Sequence, residues 1–203
     1  MKKVSGDIWS WSVFSDEKKL FFNGLYLQCP QGPVLIDPPP LADEDFATLN
    51  ELGRPKTVVL TNKDHRRGSE ECRKRLGTPI LIHELDAPLL DLKPDGTFKN
   101  GERVAGELEV LHLPHMKSPG ESALYWKKER VLVLGDALIG KPTGELGLLP
   151  AEKFADARKA VESLKKLRSL DLKMVLVGDG DSVLSDGTAA LERFFTRFGQ
   201  SAP

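Results

Sequence analysis

Three aspartates, each a short distance behind an apolar run, are the residues of this chain best suited to chemistry. Asp136 and Asp179 each follow a four-residue apolar run after a single glycine, and Asp64 lies behind the run Thr-Val-Val-Leu. Short runs rich in β-branched residues predict buried strands, so each carboxylate should emerge at a strand end. Carboxylates that meet there can bind a divalent cation, act as an acid or base, or pair with cationic side chains.

Cations and histidines lie beside these aspartates. Arg66 and Arg67 share the first aspartate's segment, Thr-Asn-Lys-Asp-His-Arg-Arg, and Lys117 lies in the segment Met-Lys-Ser-Pro-Gly-Glu. His65 stands between the first aspartate and the arginines, and His115 precedes Lys117 by two positions. A guanidinium or a protonated ammonium has no lone pair to donate and cannot ligate a metal. The same residues therefore predict either an ion-pair cluster or an oxygen-rich metal site.

Two β-rich stretches must position these residues. Alternating or apolar runs predict strands at 8–14, 20–29, 34–37, 57–61, 79–83, 108–113, 122–126, 131–134 and 174–177. Turn residues at 96–98 and 100–101 separate the first β-rich stretch from the second. Each of the segments above therefore begins where a predicted strand ends.

Helices are predicted between these strands. Asp43 is a candidate cap for a helix that Gly53 ends, and the charged segment 69–76 predicts a helix that Gly77 ends. A third helix is indicated by the spacing of Phe154, Ala157, Val161, Leu164 and Leu167, and a closing helix by Leu191, Phe194 or Phe195, and Phe198. Alternation of this kind allows a doubly wound sheet or two sheets with helices outside.

The set of motifs resembles that of the metallo-β-lactamase superfamily over about residues 20–180. Residues 61–67 resemble the family's Thr-His-x-His-x-Asp-His, residues 116–121 its Gly-His-Thr-Pro-Gly-Ser, residues 135–137 its Gly-Asp pair, and residues 178–180 its Gly-His-Gly. The resemblance implies an α/β fold, a four-layer αββα sandwich, built as a single domain over residues 1–203. It also implies a divergent, metallohydrolase-like member of that superfamily.

The resemblance puts unsuitable side chains at most of the family's ligand positions. Asn62 and Asp64 fall where two histidines of the first metal site would be. Arg66 and Arg67 fall on the Asp and His of the second metal site, and Lys117 falls on the next histidine. Asp136 is the one ligand that the resemblance retains, and Asp179 offers an oxygen where the family has an imidazole nitrogen. The metal-ligand set is therefore degenerate.

From this resemblance we expect an ion-pair network in place of the metals, and no metal cofactor. Its members would be Asn62, Asp64, Arg66, Arg67, Lys117, Asp136 and Asp179. Either arginine would pair with Asp136 and Asp179, and Lys117 would lie near Asp64. Three cations and three carboxylates balance, which avoids the penalty of unpaired buried charge. The alternative arrangement has both arginines pointing to solvent and Asp136 capping a turn.

Two functions follow from these alternatives. The first is a hydrolase by ancestry, a candidate pseudoenzyme, whose cleft binds a small anionic molecule or a protein partner without hydrolytic turnover. The second is a metal-dependent hydrolase of an ester, thioester or phosphoester, using a single divalent ion such as Mn, Fe, Mg or Zn. Its ligands would be Asp64, Asp136 and Asp179, assisted by His65 or His115.

Other polar residues near these segments are candidates for catalysis or binding. Asp64, Asp136 and Glu121 are the candidate catalytic groups, although Glu121 could instead pair with an arginine. The segment 140–145 contains two glycines and a proline and follows Asp136, which is typical of a loop that rims a site. Its Lys141 is either a contact for an anionic ligand or a solvated lysine.

Composition excludes several classes of partner. The chain has 29 Lys and Arg against 30 Asp and Glu, so neither nucleic acid nor an anionic membrane is an expected partner. No apolar run approaches the roughly 20 residues that a membrane span needs. Cys29 and Cys72 lack metal or disulfide spacing, which favours reduced thiols and a cytoplasmic location. The aromatic residues would allow a homodimer, but no segment identifies an interface.

Overall fold

The computed structural model of the protein describes residues 1–200, and its strands form two sheets. The first has seven strands in chain order: β1 (Lys2–Ser5), β2 (Ile8–Ser15), β3 (Leu20–Cys29), β4 (Gly32–Ile36), β5 (Thr57–Leu60), β6 (Ile80–His83) and β7 (Gly96–Phe98). The second has five strands, which also lie side by side in chain order: β8 (Arg103–Val104), β9 (Leu108–His112), β10 (Ser122–Trp126), β11 (Val131–Leu134) and β12 (Met174–Val177). Residues 96–98, predicted as a turn, form the short edge strand β7.

Both sheets change from antiparallel to parallel pairing along their length. β1 to β4 pair antiparallel, and β4 to β7 pair parallel. In the second sheet β8 to β11 pair antiparallel, and β11 pairs parallel with β12. Parallel strands need a crossover, which explains why helical segments lie between β4 and β5, β5 and β6, and β11 and β12.

Four helices cover the outer faces: α1 (Asp43–Leu52), α2 (Ser69–Leu76), α3 (Ala157–Leu164) and α4 (Gly187–Gln200). Ala42 rather than Asp43 is the N-cap of α1. α3 is shorter than its apolar spacing predicts, because Asp156 caps it through the backbone N–H groups of Arg158 and Lys159. Its last turn continues as a 3₁₀ helix through Ser169. No helix in the described part of the chain is long and apolar enough to span a membrane.

Apolar side chains form three layers of core. One lies between the sheets and includes Leu27 and Leu176, one lies under α1 and α2 around Leu60, and one lies under α3 and α4 around Leu132. Helix, sheet, sheet and helix therefore stack in that order, which confirms the αββα arrangement and excludes the doubly wound sheet. The adjacent strands β4 and β5, and likewise β11 and β12, run parallel, so their carboxyl ends meet at one edge.

Backbone hydrogen bonds join the two sheets at that edge. The N–H of Ser122 donates to the carbonyl of Thr61 at 2.9 Å, and the N–H of Asn23 donates to the carbonyl of Gly178 at 2.7 Å. The loops that follow β5, β11 and β12 therefore converge on one place. These are the loops that contain the three aspartates singled out in the sequence.

Candidate functional site

A cavity of about 690 Å³ opens where these loops converge. Its floor is polar and its walls are mostly apolar, with lysines among the lining groups. The lining residues are Lys18, Leu20, Phe22, Asp64, His65, Arg67, Lys117, Asp136, Ile139, Lys141, Leu148, Leu149, Pro150, Lys153 and Asp179. Volume and lining both lie in the range of small-molecule sites.

His65 is fixed at the centre of the floor by Asp37. The Nδ1 atom of His65 lies 2.8 Å from Oδ2 of Asp37, and both side chains are buried. Asp37 follows β4 with a φ of 47°, a left-handed conformation that is uncommon outside glycine. Its carboxylate also accepts hydrogen bonds from the backbone N–H and the hydroxyl of Thr61, at 2.8 and 2.5 Å. These contacts turn the Nε2 atom of His65 toward the cavity.

Arg67 pairs with Asp179 beside His65. The Nη2 atom of Arg67 is in direct contact with Oδ1 of Asp179 and lies 3.1 Å from Nε2 of His65. Its Nη1 atom donates to the carbonyl of Gly178 at 3.2 Å, and its guanidinium lies 4.3 Å from the ring centre of Phe22. Only 9% of the Arg67 side chain is exposed, so the guanidinium is held inside the cavity on four sides.

Lys117 bridges two carboxylates on the opposite side of the floor. Its Nζ atom lies 2.7 Å from Asp136 and 2.9 Å from Asp64, and Asp64 also contacts Lys63 at 2.8 Å. Asp136 is nearly buried, with 5% of its side chain exposed, whereas Asp64 lies at the mouth of the cavity with 33% exposed. One ammonium group therefore links a buried carboxylate to a partly exposed one.

Buried Asp86 holds the two loops that supply this bridge. Its carboxylate accepts hydrogen bonds from the hydroxyl of Ser118 at 2.5 Å, the N–H of Gly120 at 2.7 Å and the N–H of Lys63 at 2.9 Å. The loop that carries Lys117 is thereby tied to the loop that carries Asp64. The position of the ammonium group is set by this tie, since a free lysine side chain would sample many rotamers.

Glycine precedes both Asp136 and Asp179 for a steric reason. A Cβ atom on Gly178 would lie 2.7 Å from Cε1 of His65, and a Cβ atom on Gly135 would lie 2.7 Å from Nδ2 of Asn62. Separations this short would force the neighbouring groups apart. Glycine at these two positions therefore allows the Asp136 and Asp179 loops to approach the His65 loop closely.

The charges of the floor stabilise one another in their ionised forms. Burial raises the pKa of Asp136, but His65 and Lys117 outweigh it and hold that pKa well below its ordinary value. Burial lowers the pKa of Lys117, but Asp136 and Asp64 outweigh it and raise that pKa. Burial and Arg67 lower the pKa of His65, yet Asp37 and Asp136 outweigh them and raise it to about 10. At neutral pH, therefore, Asp136 is a carboxylate and Lys117 and His65 are cations.

Three groups in the floor could together ligate a cation. One atom each from His65, Asp136 and Asp179 lie within 4.8 Å of one another. Within residues 1–200, neither Asp64 nor His115, two of the ligands predicted for a single ion, belongs to this group. His115 is exposed, and Asp64 contacts the ammonium group of Lys117, which also contacts Asp136.

Two predicted members of the ion-pair network, Arg66 and Asn62, lie away from the charged floor. Arg66 is 40% exposed and binds Asp91 at 2.7 Å and Glu70 at 3.4 Å, so its predicted place in the network is wrong. Asn62 is buried and uses its side chain to accept the N–H of Asp64 at 2.9 Å, so it caps a turn and has no hydrogen bond to a cationic side chain among the described residues. Adjacent residues point in different directions here because residues 63–65 form a single turn of 3₁₀ helix.

Glu121, the third candidate catalytic group, is completely buried behind Asp136 and does not line the cavity. One of its oxygens accepts the N–H of Ala137 at 3.1 Å, and Oε2 has no hydrogen-bond partner among the described residues. Burial, together with the charges of Asp136 and Asp37, raises its pKa well above the ordinary value. Among the described residues Glu121 therefore pairs with no arginine, and its burial favours the neutral, protonated form.

Three residues that shape the floor have no role in the sequence-based prediction. Asp37 ends an apolar run in the same way as Asp136, and that signal could have included it in the site. Phe22 occupies a position on β3 that is typical of core, and no sequence signal marks its contact with Arg67. Asp86 lies in a segment without a motif, so its tie between two loops is visible only in three dimensions.

The two adjacent arginines provide a matched test of this geometry. The substitution Arg67→Ala should lower the free energy of unfolding by about 1.5–3 kcal/mol, since it removes charged hydrogen bonds to Asp179 and Gly178. Arg66→Ala should cost less than about 0.5 kcal/mol, as ordinary exposed substitutions do. Urea denaturation measures the loss of stability in each variant. Equal losses would show that Arg66 and Arg67 contribute alike and would contradict the placement of Arg67 inside the cavity.

The sequence as a whole identifies the family. The sequence model of the metallo-beta-lactamase superfamily matches residues 1–197, and the chain belongs to that superfamily. No functionally curated protein is significantly similar in sequence to the chain. The fold and the family were therefore both predictable from the motif order and its resemblance.

Solved structures share the fold. A metallo-beta-lactamase from Pontibacter korlensis is 20% identical with a TM-score of 0.77, and the match covers 99% of this chain and 98% of that one. A metallo-beta-lactamase family protein from Thermus thermophilus, TTHA1429, is 21% identical with a TM-score of 0.70, covering 96% and 80%. TTHA1623, solved in a di-iron-bound form, is 27% identical with a TM-score of 0.68, covering 85% and 93%. A structure of this fold can therefore hold two iron ions.

Proposed function

We propose that this protein is a member of the superfamily without metal-dependent hydrolase activity, and that its cleft binds a small organic anion. The observation that carries the proposal is the contact of Arg67 with Asp179 and of Lys117 with Asp136. In a metal-bound protein of this fold, the metal ions supply positive charge at their site. Here two side chains of fixed positive charge supply it.

The donor groups of this floor do not suit two divalent ions. Arg67 contacts both His65 and Asp179, and Lys117 contacts one oxygen of Asp136, so the groups that could bind metal already bind cations. A divalent ion at this place would meet a guanidinium 3.1 Å from one of its ligand atoms. Repulsion between cations at such a distance is severe in a partly dry site. The di-iron centre of TTHA1623 is therefore not expected in this chain.

The ion pairs leave a cleft that can still bind a small molecule. The cavity keeps a volume of about 690 Å³, with lysines and apolar side chains around the charged floor. Besides His65, five cationic side chains line it against three carboxylates: Lys18, Arg67, Lys117, Lys141 and Lys153 against Asp64, Asp136 and Asp179. This excess of positive charge favours an anionic ligand. The cleft offers no nucleophile with a free base beside it, so we propose binding without turnover.

A second candidate function follows from the cluster of His65, Asp136 and Asp179. Their ligand atoms lie within 4.8 Å of one another, and a nitrogen with two carboxylate oxygens is a ligand set known for Fe(II), Mn and Zn. If the side chains of Arg67 and Lys117 moved away from these ligand atoms, a single bound ion could polarise the carbonyl of an ester or thioester, or lower the pKa of a bound water. This function requires metal binding to displace two ion pairs.

Metal analysis distinguishes the two functions. Protein made without a histidine tag, in medium supplemented with Fe, Mn and Zn, should contain far less than stoichiometric metal by mass spectrometry. Its melting temperature should be the same with and without EDTA, because no ligand is removed from the folded state. Stoichiometric metal together with a lower melting temperature in EDTA would refute the first function and support the second.

A matched variant tests whether the assay can detect an increase in metal binding. Replacing both cations by imidazoles, in Arg67→His with Lys117→His, adds two metal ligands and removes the two charges that oppose a metal. This variant should bind Zn or Mn more tightly than the wild type. If the wild type binds equally well, the cations do not exclude metal. Hydrolysis of p-nitrophenyl acetate, followed with and without Mn, reports turnover in the same samples.

A further inference from the structure

The charged floor of the cavity has little capacity left for an incoming anion. Arg67 is engaged by Asp179 and the carbonyl of Gly178, and Lys117 is engaged by Asp64 and Asp136. Each floor carboxylate thus contacts a cation. An anion bound on the floor would have to break one of these pairs or sit beside a carboxylate.

The lysines at the rim, the exposed mouth of the cavity, differ from the cations of the floor in their contacts. Lys141 and Lys153 line the same cavity, and both are exposed. Among the residues that the structure describes, neither has an ion-pair partner. A third rim lysine, Lys18, is already in contact with Glu17 at 2.6 Å. The first two rim lysines are therefore the cations available to a ligand.

The loop that carries Lys141 is fixed at its base. Ile139 and Gly147 exchange two backbone hydrogen bonds of 2.9 and 2.8 Å, and the N–H of Gly140 donates to the carbonyl of Asp179 at 2.8 Å. Lys153 ends a single turn of 3₁₀ helix, and the buried ring of Phe154 directly after it anchors that turn. Both lysines are thus held at the cavity mouth by ordered backbone rather than by a free loop.

Between rim and floor the walls are apolar. One apolar wall is formed by Leu20 and Phe22 of β3, and the other by residues that follow β11 in the chain, Ile139, Leu148, Leu149 and Pro150. Leu148 and Leu149 are only partly buried by the core beneath α3 and α4, so they keep apolar surface for a ligand. A purely hydrophilic anion would leave this surface in water, whereas an apolar body would cover it.

We propose that the cavity binds an amphipathic organic anion, with its head group on Lys141 and Lys153 and its apolar body between the two walls. The inference rests on the proposed function, because it requires a floor occupied by ion pairs rather than by metal. The head group would be a carboxylate or a phosphate, and the floor would contact only the far end of the ligand. Selectivity would come from the combination of the two rim charges with the two apolar walls.

Four probes of known chemistry test the ligand class by isothermal titration calorimetry. Decanoate has both the anionic head and the apolar body. Decanol has the same body without the charge, decyltrimethylammonium has the body with the opposite charge, and succinate has anionic charge without the body. Decanoate, below its micelle concentration, should bind at least about tenfold more tightly than each of the other three. Equal binding of decanol or decyltrimethylammonium would overturn the proposal.

Rim variants test where the head group binds. The double variant Lys141→Met with Lys153→Met should weaken decanoate binding by about tenfold or more and leave decanol binding unchanged. The matched control, Lys127→Met with Lys128→Met, changes two exposed lysines of the turn between β10 and β11 and should leave decanoate binding unchanged. An unchanged decanoate affinity in the rim variant would overturn the assignment of the head group.

Metal content measured on the same samples separates this proposal from the proposed function. A metal-free protein that binds succinate but ignores decanoate would overturn the amphipathic ligand and keep the metal-free anion site. A protein with stoichiometric metal would overturn the proposed function, whichever probe it binds. Decanoate binding by metal-free protein, lost in the rim variant alone, supports both.

Discussion

The substitution Asp136→Ala should destabilise the metal-free protein by about 3–5 kcal/mol, the usual loss when one partner of a buried ion pair is removed. The Asp136 side chain is 5% exposed, binds Lys117 at 2.7 Å and lies 3.5 Å from Nε2 of His65. Without it, the ammonium group has only the partly exposed Asp64, and the buried imidazolium of His65 keeps Asp37 at 2.8 Å and Asp179 at 3.9 Å but loses its third carboxylate. Guanidinium denaturation, followed by the fluorescence of buried Trp126, measures the loss.

Two controls isolate the buried charge. Asp136→Asn keeps the shape and one acceptor oxygen, so its loss should be smaller than that of Asp136→Ala but still clear. Asp171→Ala removes an aspartate that also contacts a cation, Arg130, but with 68% of its side chain exposed. Exposed pairs contribute about 0–1 kcal/mol. If Asp136→Ala lowered the free energy of unfolding no more than Asp171→Ala does, the contact of Lys117 with Asp136 would contribute no more to stability than an exposed ion pair.

The sequence was sufficient for the fold because its strands are short, continuous apolar runs. The runs that became β11 and β12 were clear, since parallel strands buried on both faces need no polar alternation. β7 was missed because three residues beginning with glycine have no periodicity to detect. α3 was overextended because the apolar face continues past its last turn, while the cap at Asp156 delays its start.

The site was only partly predictable, because residues adjacent in sequence need not point the same way. The motif order indicated that Asp136, Asp179 and several cations converge, and strand ends that share one edge explain why. The sequence could not separate Arg66 from Arg67, since the choice depends on the 3₁₀ turn before them and on a φ of 33° at Arg67. Nor could it place Asp37 against His65, a contact that spans 28 positions of the chain.

The free energy of unfolding should fall as the pH rises from 6.5 to 9.0, the ordinary pKa values of histidine and of a thiol. His65 is the main cause: Asp37 and Asp136 raise its pKa in the folded state to about 10, against the lowering effects of burial and Arg67. The folded state therefore holds a proton that the unfolded chain releases above pH 6.5. This stabilisation is complete below the unfolded pKa and is lost as the pH rises toward the folded one.

Glu121 acts in the same direction. Burial raises its pKa well above 4.5, so above that pH the folded protein holds this proton to a higher pH than the unfolded chain does. Its contribution also declines with rising pH until the folded pKa is reached. Asp136, whose folded pKa is lowered, contributes fully above its unfolded pKa and is constant in this window. Above pH 9.0 the buried thiols of Cys29 and Cys72 would add a further decline, which is why the window ends there.

Denaturation curves across this window, for wild type and three variants, assign the decline to its residues. One proton corresponds to a slope of about 1.4 kcal/mol per pH unit. His65→Gln should reduce the slope by about that amount, and Glu121→Gln should reduce it further at each pH where the folded protein still holds the Glu121 proton. His115→Gln, at an exposed histidine, should leave the slope unchanged. A wild-type stability that is flat across the window would mean that His65 is neutral in the folded protein, with Arg67 rather than Asp136 as the partner of its Nε2 atom.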